Sequence, residues 1–165
     1  METISILYAA AQGGLPIACG SRGRLGKVRA TDIRDVILER SSSISPFGVR
    51  IHWAHIMGKL DLSNTLIPFP LHFVDCEFTD ELAIEGANLQ ELHILRSALP
   101  GLIGNGIQTR RDLSLSGSSI TGAFRTSSSL RRSSAVWLTE SIIGGRLLAV
   151  GTQIETKADR AIHLT

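Results

Sequence analysis

The chain has 165 residues and a formal net charge of +2, so it is long enough for one domain with a buried core and does not present a uniformly acidic surface. Apolar residues make up 43% but aromatic residues only 5%, and glycine occurs 16 times, which favours a narrow interior of small and aliphatic side chains in thin repeated layers. The two cysteines, Cys19 and Cys76, do not form a disulfide framework, so we expect a reducing compartment and a cytoplasmic protein.

The first 48 residues predict a loop and a helix that precede the repeated region. The apolar run Ile4–Ala11 is shorter than the ~18 residues of a membrane span and is interpreted as buried structure. Gly13–Arg29, rich in glycine and basic residues, predicts a loop. Residues 32–40 predict a helix capped by Thr31, which would cover the open edge of the first coil. Its apolar face would consist of Ile33, Val36 and Ile37.

Residues 49–165 predict about five repeats with a period of about 21 residues. Five triplets of the pattern small–x–apolar recur, and a glycine or an aspartate stands two residues after each apolar anchor. The anchors are Ile56, Phe78, Leu99, Ile120 and Ile143. A second series, half a period out of step, shows the apolar–x–apolar alternation of half-buried strands. Its members are Leu71–Phe73, Leu92–Ile94, Leu113–Leu115 and Val136–Leu138.

A third series of short strands begins at Leu60–Leu62 and Leu82–Ile84 and continues more weakly at Leu102–Ile103 and Ala123–Phe124. A strand of three or four residues cannot bury its apolar face alone, but equivalent strands stacked ~4.8 Å apart can do so. The pattern therefore predicts an all-β solenoid, a right-handed parallel β-helix with an N-terminal capping helix. A β-sandwich has similar strand spacing but no reason to keep anchors and glycines in phase.

Ala87-Asn88-Leu89 matches the A-(D/N)-L-x-x unit of the pentapeptide-repeat superfamily. The segments Val28–Leu38, Gly48–Ile51 and Ile56–Leu62 resemble an actinobacterial group of diverged pentapeptide-repeat-like proteins, and the resemblance covers roughly residues 28 to 165. It implies a quadrilateral β-helix. Some members of the group are labelled membrane-associated or oxidoreductase, which makes an oxidoreductase an alternative function.

Residues 158–164 look like the approach to another coil. We therefore expect either that the sequence is truncated at this end or that a second copy covers it in an end-to-end homo-oligomer.

Charge is distributed unevenly along the repeats. Asp75–Glu91 contains six acids and no Lys or Arg, whereas Arg96–Arg146 contains seven arginines and two acids. The insertion Arg125–Ser134 predicts a protruding loop, where binding groups often lie. The candidate binding residues are Arg110, Arg111, Arg125, Arg131 and Arg132. They suggest docking on an anionic or membrane surface as a second alternative, while nucleic-acid binding is disfavoured because no aromatic residues are interleaved with the arginines.

His72 and His93 lie one period apart and should stack on one outward face. Their next equivalents, Ser114 and Trp137, offer no third ligand, so a surface ladder is the favoured interpretation over a metal site. His52 and His55 form a second pair, to which the same interpretation applies. Cys76 occupies a small inward position and is interpreted as an inert core thiol, and Asp61 should face solvent.

The sequence contains no phosphate-binding glycine loop in a strand–helix context and no nucleophile elbow. It therefore predicts no catalytic residue, no cofactor and no metal. The expected function is a non-catalytic repeat scaffold that binds an unidentified protein partner.

Overall fold

The computed structural model describes residues 2–39, 41–122, 134–155 and 160–164. Two helices, α1 (Glu2–Gly13) and α2 (Ala30–Glu39), precede the repeats, and a 3-10 turn follows at Ser41–Ser43. The strands are β1 (Ile17–Ala18), β2 (Gly26–Arg29), β3 (Val49–His52), β4 (Ala54–Met57), β5 (Leu60–Asp61), β6 (Leu66–Val74), β7 (Glu77–Phe78), β8 (Leu82–Ala83), β9 (Asn88–Leu95), β10 (Ala98–Leu99), β11 (Leu102–Ile103), β12 (Gln108–Thr109), β13 (Leu113–Ser114), β14 (Ser119–Ile120), β15 (Ser134–Leu138), β16 (Ile142–Ile143), β17 (Leu147–Leu148), β18 (Gln153–Ile154) and β19 (Arg160–Leu164).

The strands form three parallel sheets. The first sheet has the order β1-β3-β6-β9-β12-β16, and β13 joins it by pairing with β9 and β17. The second sheet has the order β18-β14-β10-β7-β4-β2, and the third has the order β19-β15-β11-β8-β5. Consecutive strands of the chain mostly belong to different sheets, so the chain visits the sheets in turn. This arrangement is compatible with the predicted solenoid.

The predicted step of about 21 residues is confirmed between the paired strands from Val49 to Ile120. Leu71 pairs with Leu92, and Leu92 pairs with Leu113. In the second sheet Ala98 pairs with both Glu77 and Ser119, at the same spacing. Each lap of the chain therefore places a new strand directly on the strand formed one lap earlier.

The predicted register is wrong beyond Ile120, because the next lap is longer: Leu147 follows its paired residue Leu113 by 34 residues. The sequence pattern groups Ile143 with Ile120, but Ile143 pairs with Thr109 of the first sheet, and Ile154 pairs with Ile120. Val136 likewise pairs with Leu102 instead of Leu113. All three sheets have the same apolar alternation in the sequence. When inserted residues shift a strand along the chain, the sequence pattern therefore assigns that strand to the wrong sheet as readily as to the right one. The predicted strand Ala123–Phe124 lies outside the described residues.

The interior between the sheets is narrow and aliphatic. The anchors Ile56, Phe78, Leu99 and Ile120 are all buried, as their inward position in the predicted strands requires. Strands β3 and β4 alternate strictly between buried and half-buried side chains. The ring of Phe78 packs edge-on against Phe73 with centroids 5.3 Å apart. Thin layers of branched side chains fill this space, which explains why so few aromatic residues are needed.

Several corners between strands use left-handed backbone conformation. One column of corners stacks non-glycine residues, namely Trp53, Asp75 and Arg96, with φ values of 53°, 53° and 48°. The predicted corner glycines Gly58 and Gly122 also have positive φ, where a side chain would strain the backbone.

Helix α2 confirms the predicted helix but begins two residues earlier, at Ala30. Thr31 therefore lies inside the helix instead of capping it. The first turn is held by an ion pair in which Arg29 contacts the buried carboxylate of Asp32 at 2.7 Å. The helix packs against β2 and β5, and Arg34 donates a hydrogen bond to the carbonyl oxygen of Asp61 at 3.0 Å.

The prediction of a loop over Gly13–Arg29 is wrong at two places, because β1 and β2 form within it. Their inward residues Ile17 and Val28 are buried, which gives each strand one apolar anchor. The run Ile4–Ala11 belongs to α1, which buries Leu7 and packs on α2. No helix in the described part of the chain is long and apolar enough to cross a membrane.

Candidate functional site

Two of the five candidate arginines lie within the described residues. Arg110 and Arg111 are exposed in the turn between β12 and β13, and neither forms an ion pair with another described residue. Nearby, Arg146 binds Asp112 with a 2.7 Å ion pair that lowers the pKa of the carboxyl group. Arg125, Arg131 and Arg132, and all of the predicted loop Arg125–Ser134 except its last residue, lie outside the described residues. Within the described part of the chain, Arg110 and Arg111 are therefore two adjacent surface cations without an acidic partner.

Within the described residues, the sheets have an edge at the far end from the helices. We call it the outer edge; it consists of β16, β17, β18 and β19, each of which pairs with a preceding strand on one side and with no described strand on the other. Leu147 illustrates the consequence. Its equivalents on earlier laps, Leu71, Leu92 and Leu113, are at most 1% exposed, whereas Leu147 is 41% exposed. Leu147 is therefore a core position that the described residues leave partly exposed.

The corner column beside β3 borders an open cleft of about 380 Å³, lined by Arg22, Leu25, Trp53, Asp75 and Arg96. Arg96 binds Asp75 through two hydrogen bonds of 2.8 Å, and this contact is the main reason that the pKa of Asp75 is lowered. The ion pair thus satisfies two of the charged groups that line the cleft, and Arg22 adds a positive charge.

His72 and His93 stack on the outward face of the first sheet, as the spacing predicts. They are paired neighbours on β6 and β9, and their rings are nearly parallel, with centroids 4.6 Å apart and an interplanar angle of 8°. Burial lowers the pKa of His72, the hydrogen bond to Glu91 opposes this effect, and the neighbouring His93 and Arg50 lower the pKa further. The side chains of His72 and His93 are 24% and 22% exposed, so the pair is partly shielded from water.

Glu91 is the residue of this cluster that the sequence interpretation missed. Its Oε1 lies 3.0 Å from Nε2 of His72 and 3.3 Å from Nε2 of His93, so one carboxylate oxygen meets both rings. The signal in the sequence is the spacing of two residues between Glu91 and His93, which places both on the same face of a strand. A search confined to equivalent positions on successive laps overlooks such a neighbour.

The second histidine pair is not brought together in the same way. His52 packs edge-on against Trp53 at 5.7 Å, whereas Nδ1 of His55 lies 3.5 Å from the carboxylate of Glu77. The two histidines lie on strands of different sheets, β3 and β4.

Cys76 lies in a column of small buried residues that continues through Ser97 and Ser118. Its thiol donates weakly to the carbonyl oxygens of Val74 and Ile51, and burial raises its pKa to about 11. Such a thiol is almost fully protonated near neutral pH and is a poor nucleophile.

Comparison with known proteins gives no relative from which a function could be transferred. No protein-family model, no curated protein and no solved structure matches this chain.

Proposed function

We propose that the chain is a right-handed parallel β-solenoid of the pentapeptide-repeat-like kind, and that it acts as a non-catalytic scaffold. The return of the chain to each of three parallel sheets after about 21 residues supports this architecture. The group resemblance of Val28–Leu38 and the segments that follow it supports the same assignment.

The partner that this proposal names is a second copy of the chain, bound at the outer edge. The observation that carries the proposal is the exposure of Leu147 at a position that is buried on every earlier lap. Unpaired strand edges and exposed core positions favour the addition of further strands. Helices α1 and α2 cover the opposite end of the stack, so a second copy would bind through its own outer edge. A two-fold axis would relate the two copies, and the edge strands of one copy would pair antiparallel with those of the other.

The size of the effect follows from the exposed fraction of the leucine. Full burial of a leucine side chain contributes roughly 1.5–3 kcal/mol, so covering the 41% of Leu147 that is exposed contributes about 1 kcal/mol per copy. A two-fold interface uses this contact twice, which corresponds to about 2 kcal/mol, or roughly a 30-fold change in the dissociation constant.

Sedimentation or light scattering of the whole chain over a range of concentrations tests the proposal. We expect a concentration-dependent dimer that Leu147→Asp weakens at least tenfold. Val150→Asp should also weaken it, because Val150 follows β17 and is 74% exposed. Leu66→Asp is the matched control, because Leu66 is exposed on β6, away from the outer edge. A monomer at all concentrations, or equal dimerisation of Leu147→Asp and Leu66→Asp, would contradict the proposal.

A second candidate function, docking on an anionic surface, is favoured by the exposed Arg110 and Arg111, which have no ion-pair partner among the described residues. It predicts salt-sensitive binding to anionic vesicles that is lost in the Arg110→Ala and Arg111→Ala double variant. The oxidoreductase alternative depends on the group resemblance alone. A panel of flavin and nicotinamide cofactors in a thermal-shift assay tests it.

A further inference from the structure

The most chemically distinctive cluster on the surface is formed by His72, Glu91 and His93. Three potential ligand atoms, one from each residue, lie within 4.8 Å of one another. They stand on two hydrogen-bonded strands in the middle of the first sheet, so their backbone positions are fixed on both sides by neighbouring strands. A rigid scaffold of this kind holds ligands more reproducibly than a loop does.

The distances within the cluster match those between ligands around a small metal ion. With metal–nitrogen and metal–oxygen bonds of about 2.0–2.2 Å and tetrahedral angles, neighbouring ligand atoms lie roughly 3.3–3.5 Å apart. The two nitrogen–oxygen separations, 3.0 and 3.3 Å, are close to this value. The two Nε2 atoms lie within 4.8 Å of each other, and a tilt of the stacked rings towards Glu91 would bring them to the same spacing.

An unsatisfied nitrogen provides an independent observation. Nε2 of His93 is buried and has no hydrogen-bond partner among the described residues, since its 3.3 Å approach to Glu91 does not have hydrogen-bond geometry. Buried polar atoms without a protein partner are rare in folded proteins, and such an atom often faces a bound ion or an ordered water molecule. This unsatisfied nitrogen is itself the atom with which His93 would bind a metal ion.

Arg50 and Asp112 are charged neighbours of the cluster, and the buried Nε of Arg50 has no hydrogen-bond partner among the described residues. Arg50 is the paired neighbour of His72 on β3, but one of its amino groups donates to the carbonyl oxygen of Gly14 and its guanidinium lies over the ring of Phe47. On the other side, the carboxylate of Asp112 is close enough to His93 for that residue to help lower the pKa of Asp112, and it is itself paired with Arg146. Glu91 is therefore the charge that would offset a bound cation directly.

We propose that His72, Glu91 and His93 form a binding site for one divalent first-row transition-metal ion such as Zn²⁺, with Nε2, Oε1 and Nε2 as ligands and a fourth position open to solvent. Two imidazoles and one carboxylate suit Zn²⁺ and its neighbours better than Mg²⁺ or Ca²⁺, which prefer oxygen ligands alone. The proposal does not depend on the dimer proposed above, because the cluster lies on β6 and β9 and not at the outer edge.

Calorimetric titration of the chelator-treated whole chain with ZnCl₂, together with the visible absorption of bound Co²⁺, tests the site. We expect saturable binding of one ion per chain, weakened at least tenfold in His72→Ser and in His93→Ser. Serine is a conservative choice, because Ser114 already occupies the next position of this column. Glu91→Gln should also weaken binding, since an amide oxygen is a poorer ligand than a carboxylate.

His55→Ser is the matched control, because His55 is also a half-buried histidine that contacts a glutamate, Glu77. Both of these residues lie on the second sheet, away from the cluster. It should bind Zn²⁺ as the unmodified chain does, and circular dichroism should show that all variants are folded. Cys19→Ser should likewise leave binding unchanged. No saturable binding at millimolar Zn²⁺, unchanged affinity in both His72→Ser and His93→Ser, or loss of binding in Cys19→Ser alone would overturn the proposal.

Discussion

Replacement of Ser97 by alanine should destabilise the protein by about 2 kcal/mol, although it removes a single oxygen atom. The Ser97 hydroxyl accepts a hydrogen bond from the backbone N–H of Cys76 at 3.0 Å and donates one to the carbonyl oxygen of Leu95 at 2.9 Å. Both residues of the first contact are buried. Alanine leaves the Cys76 N–H without a partner in the interior, and an unsatisfied buried donor costs about 1–3 kcal/mol.

Urea unfolding followed by circular dichroism measures this effect. With a slope of about 2 kcal/mol per molar urea, the expected loss moves the midpoint down by about 1 M while the slope stays the same. Ser119→Ala is the matched control, because Ser119 pairs with Ala98 and the same strand position already tolerates alanine one lap earlier. Its stability should stay within about 0.5 kcal/mol of that of the unmodified chain.

Ser118→Ala provides an internal check of the same reasoning. The Ser118 hydroxyl accepts from the N–H of Ser97 at 3.1 Å and donates to the carbonyl oxygen of Ile94 at 2.9 Å, so its loss should cost a similar amount. If Ser97→Ala and Ser118→Ala unfold at the same urea concentration as Ser119→Ala, the column of hydroxyl groups does not stabilise the stack, and the reasoning fails.

Three further predictions concern glycine, thiol and charge. Gly48→Ala should lower the free energy of unfolding, measured in urea, by about 2–5 kcal/mol, because φ is +75° and a Cβ would overlap the carbonyl oxygen of Pro70. Gly58→Ala should lower it by only about 1–2 kcal/mol, because φ is +85° but the space around this glycine is open. Cys76 should resist alkylation at pH 8 and react once urea unfolds the chain, as mass spectrometry would show. Cys76→Ser should lower the free energy of unfolding by less than about 1 kcal/mol, because serine occupies the equivalent position on the next two laps. Asp75→Asn should lower the free energy of unfolding by less than about 1 kcal/mol at pH 6, because the ion pair with Arg96 is partly exposed. The difference in stability between the variant and the unmodified chain should vanish as the pH falls below 3.8 and through the lowered pKa of Asp75. A difference that persists at low pH would exclude the ion pair as its cause.

The parts of the fold that could be predicted are those in which each lap repeats the same physical requirement. Inward positions such as Leu71 and Leu92 must be apolar on every lap, so their spacing is visible in the sequence. Helix α2 was predictable because Ile33, Val36 and Ile37 face one side of a regular helix, and all three are buried. Strand β1 could not be predicted because it has only two residues, and β2 because its one buried residue, Val28, stands between Lys27 and Arg29.

The register after Ile120 could not be predicted, because strands of different sheets carry the same alternation. Val136 fits the column of Leu113 and the column of Leu102 equally well, and only pairing in three dimensions distinguishes them. Glu91 was missed for a related reason: it belongs to a different column from His93 and meets His72 diagonally across two strands. Comparison of positions one period apart in the sequence detects residues that stack on successive laps. It does not detect residues that meet diagonally across two strands.

Within the described residues the helices cover one end of the stack, which has a consequence for hydrogen–deuterium exchange. Amides of β6 and β9 bond to strands that are themselves held on their other side, so their exchange requires several laps to separate together. Amides of β17 and β18 need only the last lap to detach, at a cost near that of one interface between repeats. Protection should therefore decline from the helix-covered end towards β18, and opening should propagate from the outer strands inward.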